Sequence, residues 1–509
     1  MTMPLSIPTL DQLDPSEAWA PWQPTAGAPW NRKWAAHLYR RAAFGPSRAD
    51  LIEAERLGPQ GTLDLLLGGR PNAEDMTATL VDVGDVAAAA DDNGEQIRGW
   101  WLYAMLHSGH PLREKLTLFW HDHFATSLDK VQSPPLMFRQ NSLLRSHALG
   151  RFEPLLQAIS RDAAMMIWLD ASRNLKGKPN ENYARELMEL FSLGVGHYNE
   201  QDVREAARAF TGWRPDEAGG FAFDPRLHDE GTKSILGQTG RWDGGDVIRI
   251  VLEQPAAARF LVRKLYRFLV NEQAVPPDAL LEPLCASFRT TSYDIAALVR
   301  TILASRHFYS AHAFRQRIKG PVEYVLGAVR LVYGSYGEEE ADYRPLPQRA
   351  LVARLNAMGQ CLFAPPNVKG WPGGPSWLNT STMLERSNFA GALAMGLLGA
   401  DSPGGSNVAP EGRDRSDLRQ SGFPVDTSED PVPPLAFDPA RLLEDEGLSR
   451  PEEIVSTLLD LYVPGGVRPA LQARLTAFVA DGAPTGQALS RRVREAVHAI
   501  LTTAEYQLA

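Results

Sequence analysis

Residues 180–213 read NENYARELMELFSLGVGHYNEQDVREAARAFTGW, and this stretch decides the fold class. Asn180 follows a proline and is a natural N-cap. Glu181 falls in the first turn, where a carboxylate meets the positive end of the helix, and Gly194 is a C-terminal stop. At helical spacing Asn182, Glu186 and Glu189 form one stripe with Arg185 at its edge, while Tyr183, Leu187, Leu190 and Phe191 line the other side. His197 and Tyr198 lie in a glycine-broken turn. Val203, Ala206, Ala207 and Phe210 then recur at i, i+3, i+4 and i+7, and Gly212 ends this second helix, with Arg204, Glu205 and Arg208 on its polar side. Carboxylates at i and i+3 can share a cation or a proton, so Glu186 and Glu189 are candidate ligands. The plain alternative is an amphipathic helix with a wet polar face.

Upstream, residues 112–127, LREKLTLFWHDHFATS, place Leu112, Leu116, Phe119 and Trp120 on one side of a helix, with His121 and His123 just beyond. Two positions along a helix turn a side chain through about 200°, so both imidazoles face one metal only if the backbone leaves the helix there. In an extended segment they point the same way, a common arrangement for ligands. Asp122 between them then caps or orients a histidine. The plain reading is two histidines closing a buried helix and bonding to backbone carbonyls.

The surroundings are helical as well. Residues 96–109, QIRGWWLYAMLHSG, put Trp100, Trp101 and Tyr103 on several sides of one helix, which implies burial within a bundle. Residues 31–47 form a helix whose His37 reads as a packed core histidine. Residues 48–69 read as two short helices split at Gly58–Pro59, and residues 73–94 as an exposed connection or solvated helix. Met165 and Met166 read as core. Past Trp213 the chain is rich in Gly and Asp, and FAFDP (221–225) suggests a small hairpin. His228–Asp229 sits in this loop, which is placed to cover a site. Residues 256–310 return to helices, and DIAALVRTILASRHFYS (294–310) is echoed by RRVREAVHAILTTAEYQL (491–508), which suggests a duplicated helical unit. FAPPNVKGWPGGPSWLN (363–379) is broken by Pro and Gly throughout. Its Trp371 and Trp377 either stack on a ligand ring or pin the loop.

Composition narrows the function. Hydrophobic content of 44% and charge of 22% over 509 residues suit a globular protein of more than one structural unit. The net charge of -9 and the lack of a basic tract argue against nucleic acid as a partner. Cys285 and Cys361 allow one bridge, but neither a disulfide framework nor a thiolate zinc site. No glycine-rich phosphate loop follows a strand, so no nucleotide is expected, and no nucleophile elbow marks a serine triad. No apolar window is long enough for a membrane span. The first residues lack a basic, then apolar, signal pattern, so the expected compartment is the cytoplasm as written, with export bound to another protein as the alternative.

WAAHLYRRAAFGPS (34–47), LREKLTLFWHDHFATS, the 180–213 stretch, HDEGTKSILG (228–237), GGDVIRIVLEQPAAARFLVRKLYRFLV (244–270) and PPNVKGWPGGPSWLNTSTMLERSNFA (365–390) occur in this order. Together they resemble the bacterial domain-of-unknown-function 1800 family, DUF1800, from about residue 34 to the end. The resemblance implies no settled reaction and no catalytic role for any residue. It implies a possible partner, because members are often encoded beside a phosphatase- or sulfatase-like family bearing a twin-arginine export signal, and with it a periplasmic destination.

The expected fold is mainly α, a multi-helix bundle with a small irregular or β insertion. The expected parts are an extended segment over 1–30, a helical core with the polar site over 31–213, the insertion over 214–250, a second helical part over 251–398, a linker over 399–438 and a C-terminal helical unit over 439–509. Two functions follow. One is a metal-dependent hydrolase or oxidoreductase, with His121, His123, Glu186, Glu189 and His228 as ligands to zinc, iron, manganese or copper, and Glu205 or Asp229 as proton carrier. The other is a non-catalytic helical scaffold or escort, in which Asp122, Asn182 and Arg185 belong to a structural polar network.

Overall fold

A computed structural model describes residues 9–91, 93–333, 347–398 and 438–509, so the expected linker, apart from Asp438, and the first eight residues lie outside the described residues. The chain folds as the helices α1 (Pro15–Trp19), α2 (Arg32–Ala42), α3 (Arg48–Gly68), α4 (Ala73–Ala89), α5 (Glu95–His107), α6 (Pro111–His123), α7 (Leu128–Val131), α8 (Pro134–His147), α9 (Phe152–Ser160), α10 (Ala163–Trp168), α11 (Asn182–Glu186) and α12 (Glu200–Ala209). A π-helix, Leu187–Ser192, continues α11. Two antiparallel pairs follow, β1 (Trp213–Pro215) with β2 (Phe221–Phe223) and β3 (Lys233–Ile235) with β4 (Gln238–Gly240). Then come α13 (Gly244–Leu252), α14 (Pro255–Leu269), α15 (Asp278–Thr290), α16 (Ile295–Ala304), α17 (Pro321–Tyr333), α18 (Gln348–Ala357), α19 (Thr380–Met395), α20 (Pro439–Asp445), α21 (Pro451–Tyr462), α22 (Pro469–Ala480), α23 (Gly486–Leu501) and α24 (Ala504–Gln507). The fold is mainly α, as the periodicity implies. The hairpins occupy the Gly- and Asp-rich stretch.

The core is one continuous cluster running from Ala18 to Tyr506. α6 passes through it with all sides covered: Leu112, Leu116 and Trp120 are 0% exposed, and so are Lys115 and Thr117 on its other faces. A helix buried all round must satisfy its polar side chains internally. Glu114 does so by a two-pronged bond to Arg145 on α8 at 2.6 and 3.0 Å, and Lys115 by an ion pair to Glu323 on α17.

Three local readings meet the structure. At Gly58 (φ 70°) α3 is broken in two, as Gly58–Pro59 implies. Residues 73–89 take the helical alternative, solvated along Glu74, Asp75, Asp82 and Asp85 but closely packed along Leu80, Val83 and Ala88. The reason is Gly84, where a Cβ would strike the rings of Phe138 and Trp100, so only glycine lets α4 lie against α5 and α8. Both cysteines are free, so the bridge that two cysteines allow is absent. The echoed segments share one turn. Ser305 Oγ donates to Ile302 O at 2.7 Å and accepts from the Phe308 N–H, while Thr503 Oγ1 donates to Ile500 O at 2.7 Å and accepts from the Tyr506 N–H. Among the described residues no helix is long and apolar enough to cross a membrane.

Candidate functional site

The last turn of α6 sends His121, Asp122 and His123 into three different surroundings. His121 is 1% exposed, with its ring 5.2 Å from that of Trp101 and 5.7 Å from that of Trp371. Its Nε2 accepts the Phe363 N–H at 3.2 Å, so the ring is neutral with its proton on Nδ1. Burial pulls its pKa down to about 3. Phe363 holds a left-handed backbone (φ 60°) and is bound on both sides, its carbonyl accepting the Leu128 N–H at 2.8 Å. A non-glycine residue kept there by its neighbours carries backbone strain.

His123 points the other way. Its Nε2 donates to Phe191 O at 3.1 Å, which leaves Nδ1 to accept from Lys264 Nζ at 3.0 Å. Lys264, on α14, also donates to Leu190 O at 3.2 Å. Burial, and after it the Lys264 charge, holds the His123 imidazole well below its ordinary pKa. Asp122 Oδ1 accepts the Trp371 N–H at 2.7 Å. Gly370 (φ 79°) makes this crossing possible, because a Cβ there would run into the Asp122 carboxylate and carbonyl. Burial raises the Asp122 carboxyl to about 6, against the lowering pull of the Trp371 N–H and Lys264. Burial likewise brings the Lys264 ammonium down to about 8, although Asp122 pulls it up.

The π-helix supplies the other wall. Leu193 N–H reaches back five residues to Met188 O at 3.0 Å, and the wide turn leaves the Leu190 and Phe191 carbonyls for Lys264 and His123. Such wide turns are rare and concentrate at functional sites. Glu186 and Glu189 stand half-buried at its edge. Burial, and next the Glu189 charge, raises Glu186, which Lys369 opposes. Glu189 accepts from the Tyr198 hydroxyl at 3.3 Å. Arg185 turns outward to Glu181 and Glu200, each at 2.8 Å, and Asn182 is exposed, so neither joins the Asp122–Lys264–His123 cluster.

The remaining sequence candidates form a second group. Arg208 on α12 binds Asp229 at 2.8 Å and Glu205 at 2.7 Å. Its hydrogen bonds hold the Asp229 carboxyl down at about 2. His228 Nδ1 bonds to Thr211 O at 2.9 Å, which ties the loop to the end of α12. Trp371 and Trp377 are 7% and 8% exposed and pack together with Ile318, which anchors their loop. Among the described residues no group of three or more His, Cys, Asp or Glu is placed to hold a metal ion. Lys264, Phe363 and Gly370 escaped the reading of the sequence. The only signal for Lys264 was a lysine inside the apolar run RFLVRKLYRFLV.

Fold and cluster together define a mainly α-helical protein with a half-buried Asp–Lys–His network at the junction of three segments. The chain belongs to the family described as Protein of unknown function (DUF1800), whose model matches residues 37–508. No curated protein and no solved structure matches it.

Proposed function

We propose that the chain is an enzyme that moves protons at the Asp122–Lys264 pair, and that its reaction is a hydrolysis. One arrangement carries this reading: Asp122 and Lys264, both half-buried, lie within electrostatic reach of each other beside a π-helix, the carboxyl raised to about 6 and the ammonium lowered to about 8. At neutral pH Asp122 is then mostly ionised and serves as base, while Lys264 is mostly protonated and serves as acid. Both values lie close enough to neutrality for rapid exchange. His123 holds the Lys264 ammonium in place through Nδ1, and the Gly370–Trp371 loop holds the carboxylate. A metal-dependent version of the reaction uses Glu186 and Glu189, whose mutual repulsion a divalent cation would relieve. In that version His121 is not a ligand, since its Nε2 accepts the Phe363 N–H and its Nδ1 carries the proton, and zinc, iron, manganese and copper are the candidate ions.

The test is a panel of carboxylic, phosphate and sulfate esters given to the purified chain, with Asp122→Asn and Lys264→Met beside it. Elemental analysis of chelator-washed protein decides the metal. Activity lost in both folded variants is the expected result. Activity that survives both substitutions contradicts the assignment.

A second reading rests on a different observation: Lys264 and His123 also satisfy two carbonyls that the π-turn leaves open. On that reading the cluster is a fastener in a non-catalytic scaffold, whose partner is the exported phosphatase- or sulfatase-like protein that the family resemblance implies. Co-purification of such a partner, with no hydrolysis by the chain alone, would favour it.

A further inference from the structure

A different concentration of charge lies where α2, α17, α19 and α24 meet. Arg40, Arg41, Lys115, Arg317, Lys319 and Arg386 are each 8% exposed or less. The carboxylates that pair with any of them are the buried Glu323 and the half-buried Glu272, which engage Lys115 and Arg317. The other arginines donate to neutral acceptors, and Arg41 Nε and Nη1 and Arg386 Nε have no hydrogen-bond partner among the described residues. Arg40 donates to Tyr462 O, Arg41 to Ala313 O and Ala509 O, and Arg386 to Lys319 O and Gln507 Oε1. Hydrogen bonds of that kind satisfy donors but leave buried charge without a counter-ion, which is costly.

Lys319 has neither. Among the described residues its ammonium makes no hydrogen bond or ion pair, and it stands 3.4 Å from the centre of the Tyr506 ring. The Tyr506 hydroxyl is also buried and without a hydrogen-bond partner among the described residues. Arg40, Lys319, Glu323 and Tyr506 line one small opening. We propose that this opening is an anion site, in which a small oxyanion is held by the Lys319 ammonium with Arg40 beside it and the Tyr506 hydroxyl as a further donor. The oxyanion supplies the counter-charge that the protein withholds. A carboxylate and a phosphate or sulfate group share this chemistry.

The charges facing Lys319 are Arg40 from α2, Arg386 from α19, Arg315 from the segment before α17, and Glu323 from α17. Burial first, and then the excess of cations over the one carboxylate, drives the free ammonium towards losing its proton. An arriving anion reverses that balance, so binding takes up a proton and tightens as the pH falls, by about tenfold per pH unit at most.

The experiment titrates the full chain with sodium sulfate against sodium chloride at fixed ionic strength, by calorimetry and by thermal unfolding, with Lys319→Met beside it. Sulfate keeps its charge across the range, so any proton uptake belongs to the protein. The expected result is one saturable site per chain, heat that changes with the buffer's ionisation enthalpy, and no saturable response in Lys319→Met. Acetate or methyl phosphate that competes with sulfate supports the site and identifies which oxyanion fits. A response that rises linearly with salt, or is equal in Lys319→Met, overturns the proposal. Should Lys319→Met not fold, the wild-type chain still decides, because saturable binding without proton uptake, or no binding, overturns it.

Discussion

Two polar clusters, one buried and one half-buried, use the same ingredients and reach opposite states. In the first, Glu323 accepts from Lys115, from Arg317 at 3.0 Å and from the Gly320 N–H at 3.0 Å. Burial alone would raise its pKa, but the Arg317 and Lys115 charges outweigh burial and hold the carboxyl well below the usual carboxylate range. In the second, Asp122 accepts a hydrogen bond from the Trp371 N–H and feels Lys264 without a direct ion pair. There burial wins, and the carboxyl rises to about 6. The difference teaches that the number of donors on a buried carboxylate decides whether it is a fixed strut or a group free to exchange protons.

The strongest way to break this contrast is Glu323→Gln. It leaves Lys115 and Arg317 buried without a counter-charge, and a loss of about 3–5 kcal/mol in chemical unfolding is expected. Gly370→Ala comes next. It places a methyl against Asp122 at a positive φ, with an expected cost of about 2–4 kcal/mol and a shift of the Trp371 fluorescence. Lys264→Met leaves His123 Nδ1 and Leu190 O without their donor, and a loss of about 1–3 kcal/mol is expected in the same assay.

Asp122→Asn is the smallest and sharpest of the four. The Asp122 carboxyl is raised from 3.8 to about 6 in the fold, so its contribution to stability is complete below about pH 4 and is lost as pH rises through about 6. Lys264 is lowered from 10.5 to about 8, so its contribution is complete above about 10.5 and is lost as pH falls through about 8. Between those values the pair is charged and least favourable to the fold. Asp122→Asn keeps an oxygen for the Trp371 N–H, and a gain of about 1–2 kcal/mol at pH 7 is expected, shrinking to nothing below pH 4, by denaturant titration across pH.

The helices were legible because apolar residues at helical spacing have one physical reading. Leu112, Leu116 and Trp120, and likewise Val203, Ala206 and Ala207, all lie in the core. The π-helix was not legible, since the residues up to Leu187 fit an ordinary helix and the widening depends on donors from elsewhere. Those donors are remote: Lys264 lies 74 residues from Leu190 and His123 lies 68 from Phe191, while Trp371, the donor to Asp122, lies 249 residues from it. The polar stretch 121–213 does contain the two histidines, Asp122 and the wide turn, but no spacing within it reveals that His121 and His123 face different neighbours. The packed face of α4 was not legible for a related reason. Its alanines and Gly84 look weakly apolar until Trp100 and Phe138 are brought against them.

The most direct measurement is infrared difference spectroscopy of the protonated carboxyl band between pH 4 and 9, comparing wild type with Asp122→Asn and Lys264→Met. A band absent from Asp122→Asn, with a midpoint at about 6 in the wild type and a higher one in Lys264→Met, is the expected result. A wild-type Asp122 that titrates near its ordinary value of 3.8, unmoved by loss of Lys264, would contradict the account.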